Sequence, residues 1–221
     1  MAAGRSMHLL SGFTLAVLLA AVVPLPQEPQ GAEEIIVWSA TRKLDWKDFR
    51  SKPPPNTLAG ALSAISHDYA VGCRDQALQL RVQTIFVPGR SWVTYRIVSS
   101  GLASRVGIRH EQIHFDLAEV YTRRIRKMFR ELRDPCPRSD AELAGMVEQI
   151  IKEHWTAQRR YDTETENGQL EAKQNDWEKR IAAELTALAP FAERPEFEVR
   201  TSKFQARRVS GLTPRVRSRR P

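Results

Sequence analysis

The spacing of apolar residues changes once along this chain, from a period of two to a period near 3.6, and the change divides a strand-forming segment from a helix-forming one. Ile35-Ile36-Val37-Trp38 is a short apolar run, and Leu78, Leu80, Val82, Thr84 and Phe86 then alternate with Gln79, Arg81 and Gln83. Alternation of this kind is the mark of a strand with one buried face. Ala59 to Val71 offers a further strand, preceded by a surface loop at Pro53-Pro54-Pro55. Downstream, Val106, Ile113, Leu117, Tyr121, Ile125, Met128 and Leu132 fall within roughly 60° of His110 when successive residues are stepped by about 100°, which predicts a long amphipathic helix. Asp134-Pro135-Cys136-Pro137 ends it. Ser139 with Glu142 three residues on reads as a capping box, and Leu143, Met146, Val147, Ile150, His154, Tyr161 and Thr165 share one face of the helix that follows, with Asp162 at its margin. Gln169 to Leu188 reads as a third helix carrying Trp177, Ile181 and Leu185 at i, i+4 and i+8. Strands followed by helices predict an α+β domain: a small antiparallel sheet, then the long helix and two more, the first two helices packed as an antiparallel pair. Trp46, Trp92 and Trp177 are expected in the core.

Composition sets the limits of that domain. A chain of 221 residues, 42% hydrophobic, suffices for one core. Its net charge of +8 is local: residues 200–221 hold Arg200, Lys203, Arg207, Arg208, Arg215, Arg217, Arg219 and Arg220 and no acid, so the rest of the chain is balanced. This end is expected to be a disordered, solubilising tail, with contact to anionic lipid head groups or cell-surface polymers as its functional alternative. At the other end Arg5, an apolar run from Leu9 to Leu25 and a Pro/Gln/Gly stretch through Gly31 have the layout of a secretory signal, and the weak cleavage signal keeps an uncleaved signal anchor as the alternative. The expected division is a signal peptide or anchor at 1–32, one folded domain at 33–199 and the basic tail at 200–221. An exported chain, periplasmic or extracellular, makes its two cysteines readable as a disulfide, Cys73 to Cys136. Such a bridge closes a loop of about 60 residues and contributes roughly 4 kcal/mol through chain entropy. Nucleic acid is not an expected partner.

The candidate chemistry lies on the long helix. His110-Glu111-Gln112-Ile113-His114 is an H-E-x-x-H pattern, the arrangement that zinc peptidases use. Imidazoles at i and i+4 leave the same side of a helix and can share one metal as neutral ligands at roughly 2.0–2.1 Å. Glu111 lies about 100° round the helix, which suits a base acting on metal-bound water. Glu119 lies about 180° from His110 and is expected in solvent, and position 120 is Val120 where the longer histidine-bearing pattern has a third His. The third ligand is therefore sought on the second helix. Asp162 ranks first and Glu166 and His154 follow; His154 reads foremost as a core histidine hydrogen-bonded to its surroundings, and Asp162 has the alternative role of orienting a metal histidine. The expected reaction is peptide hydrolysis with Zn2+ as cofactor. Glu111 takes the water proton and returns it to the leaving amine, and Tyr161 is the candidate oxyanion donor.

The run His110 to Glu119, with Tyr161-Asp162-Thr163-Glu164-Thr165, Gln174 and Trp177, resembles the DUF922 family of predicted secreted bacterial zinc-dependent proteases; Leu44-Asp45-Trp46-Lys47-Asp48-Phe49 and Ser91-Trp92-Val93 extend the resemblance over roughly residues 35 to 190. The resemblance implies a zincin-like metallopeptidase domain and a peptide or protein substrate. By analogy with peptidases of that class, an edge strand beside the active-site helix is expected to receive the substrate as an added strand. The sequence departs from the family where Thr, a variable residue, His and Gly are common and Thr165-Glu166-Asn167-Gly168 stands here. Asn167 favours the competing reading, an exported binding or scaffolding protein that keeps the fold without turnover. The intact Glu111 favours the enzyme.

Overall fold

The structure is a computed structural model and describes residues 33–192. The signal segment at 1–32 and the tail at 200–221 expected from the sequence both lie outside the described residues.

The sheet forms where the period of two predicts it. β4 (Ala77–Phe86) buries Leu80, Val82, Thr84 and Phe86 on one face and lies between β1 (Ile36–Val37) and β3 (Ile65–Arg74) in an antiparallel sheet of order β1-β4-β3. β3 and β4 are paired along their whole length, from Ile65 opposite Phe86 to Arg74 opposite Ala77. The two residues between them, Asp75 and Gln76, have φ of 50° and 61°. Two left-handed residues in a row are what a tight hairpin with the native strand twist requires, although neither is glycine. A second ribbon pairs β2 (Ala61–Leu62) with β5 (Trp92–Val93).

A short helix, α1 (Tyr95–Val98), leads into α2 (Gly101–Glu131), the 31-residue helix that bears the motif. α3 (Asp140–Thr165) begins with the capping box expected at Ser139 and Glu142: the Ser139 side chain accepts from the Glu142 amide, and the Glu142 carboxylate accepts from the Ser139 amide. α4 (Glu171–Ala187) completes the set, two residues later in its start than the sequence indicated, because three left-handed residues, Glu166, Asn167 and Gly168, intervene. The predicted α+β architecture is the observed one.

α2 is the central element. Ile113, Leu117, Val120 and Tyr121 pack with Tyr161, Trp177 and Ile181 of α3 and α4. Phe115 and Ala118 meet Leu44, Phe49, Ile65 and Phe86, while Ile125 and Phe129 meet Leu80, Val82, Leu143 and Val147. All residues from Phe115 to Arg123 are buried, so this stretch has no solvated face. That corrects the expectation for Glu119, which is 3% exposed. Its carboxylate accepts from Arg123 Nε at 3.0 Å, Arg126 Nη1 at 3.1 Å and Thr84 Oγ1 at 3.0 Å. An unpaired charge at that depth would be prohibitive, and two guanidiniums with a hydroxyl supply the compensation. Cys73 and Cys136 form a disulfide with Cα atoms 5.5 Å apart, which ties the end of β3 to the turn between α2 and α3. Among the described residues no helix is long and apolar enough to cross a membrane.

Candidate metal centre

His110 and His114 project from the middle of α2 toward the last turns of α3, as the i, i+4 spacing requires. Their Nε2 atoms lie 3.1 Å apart, and Asp162 Oδ1 sits 3.3 Å from His110 Nε2 and 2.9 Å from His114 Nε2. Among the described residues these three form the one group of three or more His, Cys, Asp and Glu side chains that could hold a metal ion. The donor set fits zinc in chemistry and in size. Ligand bonds of roughly 2.0–2.1 Å in a tetrahedral shell place donor atoms about 3.3 Å apart, close to the three separations seen here. Of the other ligand candidates, Glu166 is exposed at the C-cap of α3 with φ of 48°, and His154 is fully buried against His67. Asn167 is exposed on the same turn.

Both histidines are held so that Nε2 faces the site. Gln174 Nε2 donates to the Glu178 carboxylate at 3.2 Å, which turns the Gln174 carbonyl toward His110 Nδ1 at 3.3 Å. His114 Nδ1 donates in the same way to Gln158 Oε1 at 2.5 Å. With Nδ1 committed to the carbonyl, each Nε2 faces Asp162 and would offer a metal its lone pair once its own proton has left, and the carbonyl beyond Nδ1 fixes the ring plane. Tyr161 lies beneath the pair, its ring stacked on His110 at 4.6 Å and edge-on to His114 at 4.9 Å. The Tyr161 hydroxyl donates to Gln174 Oε1 at 2.6 Å and is fully buried. Burial raises its pKa far above the ordinary tyrosine value, so it remains a donor at all accessible pH.

The electrostatics bind His110, His114 and Asp162 to one another. Burial alone would raise the Asp162 pKa, but hydrogen bonds from both histidines hold it well below the usual carboxylate range. Burial likewise works against a charged His114, yet the hydrogen bond and charge of Asp162 push its pKa up to about 9. Glu111 is 7% exposed, and among the described residues its carboxylate has no hydrogen-bond or salt-bridge partner. Its oxygens keep contact with solvent, so a water or a ligand can reach them.

Gly168 closes the site from the side. Its φ is +84°, and a Cβ there would lie 3.1 Å from the Cβ, Cγ and Nδ1 of His110. Only a glycine combines that backbone angle with that approach. Sequence reasoning did not identify Gln158 and Gly168 as parts of the site, nor His67. Gln158 was findable, because it falls on the α3 stripe between His154 and Tyr161. His67 lies on a strand, and its position gives no local signal of a partner on α3.

Residues 104–169, from the first turns of α2 to the turn after α3, match the profile of the family DUF922, described as a bacterial protein of unknown function. The match spans His110, Glu111, His114, Tyr161, Asp162 and Gly168. No curated protein and no solved structure matches the chain.

Proposed function

We propose that this protein is an exported zinc-dependent metallopeptidase whose metal is held by His110, His114 and Asp162. The observation that carries the reading is the convergence of His110 Nε2, His114 Nε2 and Asp162 Oδ1 near a largely buried carboxylate, Glu111, that has no hydrogen-bond or salt-bridge partner among the described residues. A structural zinc has no use for such a base and ordinarily has four protein ligands, whereas a catalytic one keeps an open position. When bound, zinc supplies a Lewis acid that polarises a carbonyl and brings the pKa of a water toward neutrality.

The chain's own residues carry the remaining steps. Glu111 accepts a proton from the attacking water and delivers it to the nitrogen of the leaving amine. Asp162, kept ionised by its two histidines, supplies the single negative charge of the donor set. Tyr161 acts as a positioning residue and not as the oxyanion donor expected from the sequence: its hydroxyl is engaged by Gln174 and its ring supports both histidines. Export is supported by the Cys73–Cys136 disulfide, which suits an oxidising compartment.

The competing reading, a binding protein that keeps the fold without turnover, draws on Asn167. It is not favoured here, because Asp162 completes a three-ligand set without that position. The test is a peptidase screen of zinc-loaded protein beside Glu111→Gln. Turnover in the wild type and its loss in the variant, at equal zinc content, is the expected outcome. Equal turnover in both removes Glu111 from its role, and absence of turnover from a zinc-loaded wild type across a broad peptide library favours the binding protein.

A further inference from the structure

All four histidines among the described residues, His67, His110, His114 and His154, belong to one connected polar network. Beyond the metal centre it runs inward. Gln158 Nε2 lies 2.9 Å from the His114 backbone carbonyl and 2.7 Å from His154 Nε2. His154 Nδ1 lies 3.0 Å from His67 Nε2, and His67 Nδ1 lies 2.9 Å from Thr122 Oγ1. Thr122 Oγ1 is 2.7 Å from Thr84 Oγ1, whose hydroxyl reaches Glu119 Oε2 at 3.0 Å. Every side chain in this series is buried.

The direction of each hydrogen bond follows from either end, and the two derivations agree. At the inner end the Glu119 carboxylate, paired with Arg123 and Arg126, can only accept. Thr84 therefore donates to it and receives the Thr122 proton, so Thr122 receives the His67 Nδ1 proton. His67 Nε2 is then unprotonated and accepts from His154 Nδ1, which leaves His154 Nε2 to accept from Gln158. At the outer end the His114 carbonyl also can only accept, so the NH2 of Gln158 faces inward and donates to both His114 O and His154 Nε2. Its carbonyl is thereby turned to His114 Nδ1. Burial keeps His67 neutral down to about 4, and burial with the neighbouring His67 and His114 keeps His154 neutral well below its ordinary range, so each ring carries the one proton this series needs.

We propose that Glu119, Thr84, Thr122, His67, His154 and Gln158 form a buried positioning relay that fixes His114 Nδ1 as the nitrogen that donates to Gln158 and so turns its Nε2 toward the metal site. The tautomer pattern is a property of the protein alone, and only its consequence for metal affinity rests on the zinc-centre reading. A fixed orientation matters because a rotated Gln158 amide sets its NH2 against the donor His114 Nδ1–H and its carbonyl against two acceptors. Losing a group that orients a ligand commonly costs 10–100-fold in metal affinity.

The test has two arms. Long-range 1H–15N correlation spectra of uniformly labelled protein, without zinc and with it, read the protonated nitrogen of each ring. His67 and His154 are expected with Nδ1 protonated and Nε2 bare in both states. A bare Nδ1, or a doubly protonated ring, at either position at neutral pH overturns the relay. The second arm is zinc affinity by competition with a chromophoric chelator. His154→Leu removes the acceptor for Gln158 and is expected to weaken zinc binding roughly 10–100-fold. His154→Gln can accept through Oε1 and donate through Nε2, and is expected to recover most of the loss. Wild-type affinity in a folded His154→Leu variant overturns the proposal; if that variant does not fold, the spectra and His154→Gln decide. A wild-type protein that binds no zinc contradicts the metal centre but leaves the tautomers readable, so the two failures are distinguishable.

Discussion

Two single residues carry consequences out of proportion to their size. Glu119 neutralises part of a pair of guanidiniums, Arg123 and Arg126, and all three side chains are buried. Removing one partner of a buried ion pair strands the other, so Glu119→Ala is expected to lose roughly 3–5 kcal/mol of unfolding free energy, measured by urea denaturation. A loss below about 1 kcal/mol contradicts the buried pairing. Gly168 touches His110 from a left-handed backbone. Gly168→Ala strains that backbone by about 1–2 kcal/mol and presses on the His110 ring, so it is expected to lower stability and, on the proposed reading, zinc affinity. A comparison of denaturation midpoints and zinc titrations checks it, and an unaltered affinity indicates that His110 yields without cost. Neither role follows from sequence spacing alone. The HExxH pattern marks His110, Glu111 and His114, and the end of α3 supplies Asp162, but a helical projection assigns each residue to one core or to water. α2 is enclosed along its middle by the sheet, α3 and α4, so the half-turn that takes Glu119 away from His110 carries it to β4 instead of to solvent.

The elements whose character is local were the ones legible in the chain. Alternation in β4 needs one buried face, the capping box at Ser139 needs four residues, and both appear where they were read. What joins separate elements was hidden: His67 of β3 reaches His154 of α3, a separation of 87 residues, and the hairpin turn uses Asp75 and Gln76 in left-handed conformations without a glycine to announce it. The meeting of β3 and α3 has a pH signature. His67 and His154 are neutral in the folded protein and bind protons readily once unfolded, so the unfolded state takes up more protons below about pH 6.5. Stability from this source is present above that pH and falls as pH drops through 6.5 toward 4, by at most about 2.7 kcal/mol per pH unit while both unfolded rings are charged and both folded ones are not. Thermal unfolding between pH 4 and 7 measures the slope. It is expected to flatten in the double variant His67→Gln/His154→Gln, and an unchanged slope there assigns the acid sensitivity to other groups.

For the molecule as a whole, the disulfide and the proposed metal centre lie in different parts of one fold. The Cys73–Cys136 bridge lies at the end of the β3–β4 hairpin and the α2–α3 turn, whereas the metal centre joins the middle of α2 to the end of α3. Reduction is expected to cost roughly 4 kcal/mol of stability through the freed loop while leaving zinc stoichiometry unchanged, as read by denaturation and metal analysis of the Cys73→Ser/Cys136→Ser variant. Loss of zinc with the bridge contradicts that independence. On the proposed reading zinc would bind only the folded arrangement of His110, His114 and Asp162, so it is expected to raise the melting temperature with concentration. Zinc-edge anomalous diffraction from crystals of the zinc-loaded protein tests that arrangement most directly: a single strong peak within about 2.0–2.2 Å of His110 Nε2, His114 Nε2 and an Asp162 oxygen is the predicted result. A peak that lacks Asp162 among its ligands, or that lies away from the two histidines, contradicts the account.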